Sequence, residues 1–166
     1  MVGKELDKVI GGIDKYRDEA IELETRLSAI PALGPENGGE GEAEKAEYLK
    51  KYLGKLGLEV REYNAPDKRV ASGYRPNLVA VLEGRRKSPV LWIMSHTDVV
   101  PPGDLSKWTG DPWKVRVVGD KLIGRGVEDN QQGIVSSILA VKAFKDAGVT
   151  PEIPIGLVLV ADEETG

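Results

Sequence analysis

Val90-Leu91-Trp92-Ile93-Met94-Ser95-His96-Thr97-Asp98-Val99-Val100-Pro101-Pro102 is the stretch that decides the fold, because an apolar run passes directly into chemically active side chains. Val90 to Met94 reads as a buried central strand, and the proline pair that follows forbids further ladder pairing. Alternation along a strand sends residues two apart to the same side, so His96 and Asp98 can point together into the crevice beyond the strand's carboxyl end. Such crevices are where open α/β sheets bind ligands. His96 is the only histidine in the chain. A lone histidine at a strand end is ordinarily a satisfied surface or core residue. Asp98 shifts that balance, because a carboxylate two residues on can hold the ring, fix its tautomer and raise its basicity, as a metal-binding histidine requires. A serine triad built on Ser95 is disfavoured: the Gly-x-Ser-x-Gly elbow is missing and no second histidine exists to serve it.

Composition narrows the chemistry further. A chain of 166 residues suits one domain, residues 1–166, and such a length buries roughly 70% of its unfolded surface without staples. The formal charge of -4, with acids and bases interspersed, forms no basic stripe, so no nucleic acid partner is expected. No apolar run approaches the ~20 residues of a membrane span, and the amino terminus lacks signal-peptide features, so a cytoplasmic protein is expected. With no cysteine, any metal must be held by imidazole and carboxylate.

Outward from the central stretch, apolar residues from Lys4 to Ile30 recur in steps of three and four, which predicts one amphipathic helix ended by Pro31. A glycine-rich loop to Gly41 precedes a second helix, Glu42 to Leu56, with Gly57 placed to cap it. Leu58 to Tyr63 and Asn77 to Leu82 read as strands, with Pro66 to Pro76 as an exposed connection. Val115 to Ile123 reads as a hairpin, Ile134 to Ala147 as a helix and Ile153 to Ala161 as a buried strand. Strands alternating with helices predict an α/β fold, a mixed sheet with helices on both faces.

Two further clusters carry acids. In Gly124-Arg125-Gly126-Val127-Glu128-Asp129-Asn130 the glycines match no phosphate-binding template, lacking a third glycine in register and a Gly-Lys-Ser/Thr sequence. Asp129 reads either as a helix cap or as a carboxylate that bridges cations in the crevice facing His96. Asp162-Glu163-Glu164-Thr165-Gly166 follows the last strand and, alone, reads as an ordinary acidic first turn of a helix. Taken together, three acid- or imidazole-bearing segments at one sheet edge favour a hard-metal site with oxygen and nitrogen donors.

In order and spacing, His96-Thr97-Asp98-Val99-Val100-Pro101, Gly124 to Asn130 and Asp162 to Gly166 resemble the motifs of the di-zinc aminoacylase and carboxypeptidase family, which includes acetylornithine deacetylase, succinyl-diaminopimelate desuccinylase and carboxypeptidase G. The resemblance implies a zinc-peptidase-like catalytic domain with two zinc ions, for which cobalt can substitute. It implies His96 as a ligand of one metal, Asp98 as the catalytic residue orienting it, Asp129 as a bridge between both metals, Glu164 as a ligand of the other, and Glu163 as general base. The three ligands should then converge, and the Asp129–Asn130 peptide bond should be cis. The implied reaction is hydrolysis of an amide bond in a peptide or N-acyl amino acid. Family members are longer, with a later acidic ligand, a carboxyl-terminal histidine and a lid domain that forms the homodimer interface. The expectation is therefore an amino-terminal fragment with the lid domain absent, inactive alone. The alternative is a catalytically inactive remnant or interaction module that keeps the motifs.

Overall fold

The computed structural model describes residues 2–165, so Gly166, the last residue of the third motif, lies outside it. Helices α1 (Val2–Ile10), α2 (Arg17–Ser28) and α3 (Ala43–Lys55) precede strands β1 (Val60–Pro66), β2 (Tyr74–Leu82) and β3 (Leu91–His96). A small hairpin, β4 (Arg116–Val118) and β5 (Lys121–Ile123), then leads into α4 (Gln132–Asp146) and β6 (Ile155–Val160). The helix expected over Lys4 to Ile30 is broken in two. Gly11 and Gly12 are poor helix formers, and a 3-10 turn at Ile13–Tyr16 follows them. The break redirects the apolar stripe: Val9, Tyr16, Leu23 and Leu27 enter the core, whereas Leu6, Ile10 and Ile13 stay exposed.

The four-stranded sheet runs β1-β2-β6-β3, antiparallel except for the parallel pair β3 and β6, and is therefore mixed as expected. Leu78 and Ala80 of β2 and Leu157 and Leu159 of β6 share one core with Leu23 and Leu27 of α2, Leu49 and Leu53 of α3, and Ile134 and Ile138 of α4. The helices thus lie on that one face. Alternation sends Val79, Val81, Trp92 and Met94 to the other, which no helix covers among the described residues; Trp92 is 52% and Met94 71% exposed. This corrects one expectation, since β3 is an edge strand rather than a central one among the described residues, whose helices pack on one face of the mixed sheet. An unbroken apolar run masks alternation, so the sequence could not separate the two sides of β3. Trp92 lies across Gly156 of β6, where a Cβ would collide with its ring. The expected exposed connection shrinks to residues 67–73, and Arg75 and Pro76 are buried. No helix among the described residues is long and apolar enough to cross a membrane.

Gly84 lets the chain leaving β2 press against the segment that leads into β6. Arg85 and Arg86 donate backbone N–H bonds of 2.9 and 3.0 Å to the carbonyls of Pro151 and Glu152. A Cβ at Gly84 would stand 2.5 Å from the Pro154 nitrogen, which is backbone and cannot swing aside. Gly84→Ala is expected to destabilise the fold by about 3 kcal/mol, the upper part of the range for overpacking. The check is a lower urea midpoint at unchanged slope. An unaltered midpoint would show that the crossing relaxes freely.

Candidate metal centre

Because β3 and β6 are parallel neighbours, with His96 in register with Val160, both chains leave the sheet at the same edge. Thr97 binds them there, donating its backbone N–H (2.8 Å) and its hydroxyl (2.9 Å) to the Val160 carbonyl. Asp98 is 2% exposed, and its carboxylate accepts the backbone N–H groups of Glu163 (3.2 Å) and Glu164 (3.0 Å). The acidic turn after β6 is therefore fastened to the segment that carries His96. Among the described residues this stretch, 162–165, is a turn.

Asp129 arrives from the second motif, Gly124 to Asn130. Gly126 takes φ 80°, and a Cβ on it would come within 2.7 Å of Val99. Ser28 donates its hydroxyl to the Gln131 side chain (2.8 Å) and also contacts the Arg125 carbonyl, while Gln131 N–H closes onto the Gly126 carbonyl at 2.9 Å. Asp129 and Asn130 have non-helical backbone angles and are joined by a cis peptide bond. Asp129 is thus not a helix cap; α4 begins at Gln132, and the Asp129 carboxylate instead stands 2.9 Å from His96 Nε2.

One donor atom each from His96, Asp129 and Glu164 lie within 4.8 Å of one another, and Glu163 Oε2 is 3.9 Å from His96 Nε2. His96 Nδ1 is 3.1 Å from the Asp98 carbonyl oxygen, which can only accept, so Nδ1 carries a proton and Nε2 is the nitrogen free to bind a cation. The Asp98 carboxylate is farther, 3.5 Å from Nδ1. Asp98 therefore holds the imidazole with its backbone oxygen and the acidic turn with its side chain. Burial works against the His96 cation, but the bond to Asp129, the Asp98 charge and carbonyl, and Glu163 outweigh it and raise the pKa. Glu164 is pushed above the usual carboxylate range by burial, then by the charge of Asp129. One imidazole and two mutually repelling carboxylates are a donor set that suits a divalent cation. Asp129 and Glu163 remain 68% and 59% exposed, so the centre opens to solvent.

Several residues shaping this edge were not anticipated. Arg75, 3% exposed, donates Nε to Glu42 Oε2 at 3.0 Å and Nη2 to Glu42 Oε1, and turns Nη1 to Asp162. Asn77 accepts the Ala161 N–H at 3.1 Å. Lys45 is fully buried, with the charges of Asp98, Glu42 and Glu24 bearing on it. Sequence spacing holds no signal for the Arg75 clasp, whose partners lie 33 and 87 residues away.

The sheet edge brings together a carboxylate-rich donor group that could hold a metal ion, at the strand ends where open α/β sheets bind ligands. Residues 92–166 match the model of Peptidase family M20/M25/M40. Over those residues the chain belongs to that family, and as a whole it corresponds to the amino-terminal portion of the family's catalytic domain. An uncharacterized metallohydrolase of Methanocaldococcus jannaschii is 42% identical over 157 residues, 90% of this chain and 37% of that protein. Succinyl-diaminopimelate desuccinylase of Variovorax paradoxus is 31% identical over 148 residues, 87% of this chain and 35% of its own length. A di-peptidase from Saccharomyces cerevisiae superposes with a TM-score of 0.81 at 22% identity, over 97% of this chain and 35% of that one, a likeness of fold. The chain thus spans little more than a third of these curated relatives.

Proposed function

We propose that this site serves metal-dependent hydrolysis of an amide bond in a peptide or N-acyl amino acid. The observation that carries the reading is the convergence of His96, Asp129 and Glu164 within 4.8 Å, with a further, solvent-facing carboxylate, Glu163, beside them. Zinc ions, or cobalt in their place, would be held by His96, Asp129 and Glu164, with Asp129 as the bridge, and would supply Lewis-acid activation of water and of the substrate carbonyl. Glu163 takes a proton from the attacking water as its oxygen bonds to the carbonyl carbon. The same carboxyl returns that proton to the amine nitrogen as the C–N bond breaks. Asp98 keeps His96 in the tautomer that leaves Nε2 free and holds Glu163 and Glu164 by their backbone amides. The match to a peptidase family and the desuccinylase activity named for a relative support this class of reaction.

Metal binding can be read without turnover. Titration with cobalt should give a visible absorption band, and His96→Ala or Glu164→Ala should weaken binding by more than ~100-fold, since even outer partners of a metal ligand are worth 10–100-fold. Wild-type affinity in both variants would remove these residues as ligands.

A further inference from the structure

The turn that carries Glu163 and Glu164 lacks regular secondary structure, yet the proposed chemistry requires two adjacent side chains to be placed at different points of the site. Asp162 begins the turn with φ 65°, the only positive φ at a non-glycine residue among the described residues. That left-handed step, which aspartate tolerates better than most residues, turns the chain after β6 back toward His96. What holds it lies behind the metal centre. We propose that Arg75, anchored by Glu42, is a positioning residue that grips Asp162 and so sets where Glu163 and Glu164 stand.

The geometry of the guanidinium is the main argument. Nε and Nη2 form a two-point fork on the Glu42 carboxylate, which fixes the plane of the group and leaves Nη1 directed at Asp162 Oδ1. Glu42 is fully buried and stands at the N-cap position of α3, but its carboxylate makes no capping bond and faces Arg75 instead. Thr165 donates its hydroxyl to the same Asp162 oxygen at 2.7 Å, closing the turn on itself. A Cβ at Gly34 would meet Arg75 Nη2 at 3.4 Å and Thr165 Oγ1 at 3.5 Å, so that glycine lets the preceding loop lie over the clasp. A buried ion pair is weak evidence for stability, since apolar replacements often do as well. A rigid fork that ends on a third, half-exposed residue is suited to fixing direction. Lysine, a point charge without the fork, could not serve both carboxylates in this way.

The inference rests on the functional reading only for its consequence at the metal; the placement of the turn is tested separately. Four forms of this chain would be compared: wild type, Arg75→Lys, Asp162→Gly, which keeps the backbone angle but loses the acceptor, and Asp162→Asn, which keeps both. The first readout is metal-free amide hydrogen exchange at Glu163 and Glu164, whose N–H groups bind Asp98. Exchange should speed up about tenfold or more in Arg75→Lys and Asp162→Gly and stay near wild type in Asp162→Asn. The second is cobalt titration, in which the same two variants should lose about tenfold or more in affinity with an altered absorption spectrum, again restored by asparagine. Unchanged exchange in Asp162→Gly overturns the proposal, as does equal damage from the asparagine and glycine variants. Faster exchange in Arg75→Lys and Asp162→Gly, with no cobalt bound by the wild type, would leave the clasp standing and refute the metal assignment for this chain.

Discussion

In a metal-loaded form extended to the length of its curated relatives, Glu163→Gln should reduce amide hydrolysis by about 10²–10⁴-fold, the contribution typical of a positioned general base, whereas residues 1–166 alone should show no appreciable hydrolysis. The expected loss is this large because glutamine matches glutamate in shape but cannot accept the proton of the attacking water or deliver it to the leaving amine. Binding should survive. Glu163 is outside the three-donor group, it is 59% exposed, and its N–H bond to Asp98 belongs to the backbone and is kept by glutamine. Rates on N-acetyl amino acids and dipeptides, measured beside cobalt affinity, separate the outcomes. An undiminished rate removes Glu163 as base, and a parallel loss of metal makes it a ligand.

Fold stability should pass through a trough between about pH 7 and 8, set by two buried groups beneath the site. Glu24 is 4% exposed with one carboxylate oxygen unpartnered, and burial raises its pKa from 4.5 to about 7, opposed by Lys45. Lys45 is fully buried with its Nζ unpartnered, and burial lowers its pKa from 10.5 to about 8 against the pull of Asp98, Glu42 and Glu24. The signs are opposite. A raised carboxyl pKa means the folded state holds the extra proton, so the Glu24 contribution is full below pH 4.5 and is lost as pH rises through 7. A depressed lysine pKa means the unfolded state holds it, so the Lys45 contribution is lost below pH 8 and full above 10.5. Each gap corresponds to about 3 kcal/mol. Urea midpoints should be lower near pH 7.5 than at pH 5 or 10. Glu24→Gln should remove the acid-side decline and Lys45→Met the alkaline recovery; matching profiles for wild type and variants would rule out both groups.

Residues that act through local spacing were legible in the sequence, and residues that act through distant pairing were not. His96 at the end of an apolar run, Asp129 after a paired-glycine turn and Glu163-Glu164 after the last strand all lie where element ends deliver them, so their meeting followed from an α/β reading. The cis bond at Asp129 followed from family resemblance and from no property of the local residues. The side of the sheet on which helices pack was hidden because Leu91 to Met94 is apolar at every position, and a period of two needs polar residues to be visible. The break at Gly11-Gly12 was overridden in the reading by an apolar stripe that continues across it. Asp98 lies against His96, but its carboxylate serves the acidic turn more than the imidazole, because which of its oxygens faces His96 depends on a backbone path that residue types do not encode.

The strand order has a consequence for biosynthesis. β6 is made well after β3 yet lies between β2 and β3, and β3 pairs with no other strand among the described residues. While β1 and β2 can close on each other early, the strand ending in His96 must wait for the chain to be made through Val160. At roughly 5–20 residues per second this leaves Leu91, Trp92 and Met94 without a ladder partner for about 3–13 s on the ribosome. The segment that bears His96 is thus an adhesive one in the nascent chain, and holding it apart from other chains during that interval is a task for a chaperone.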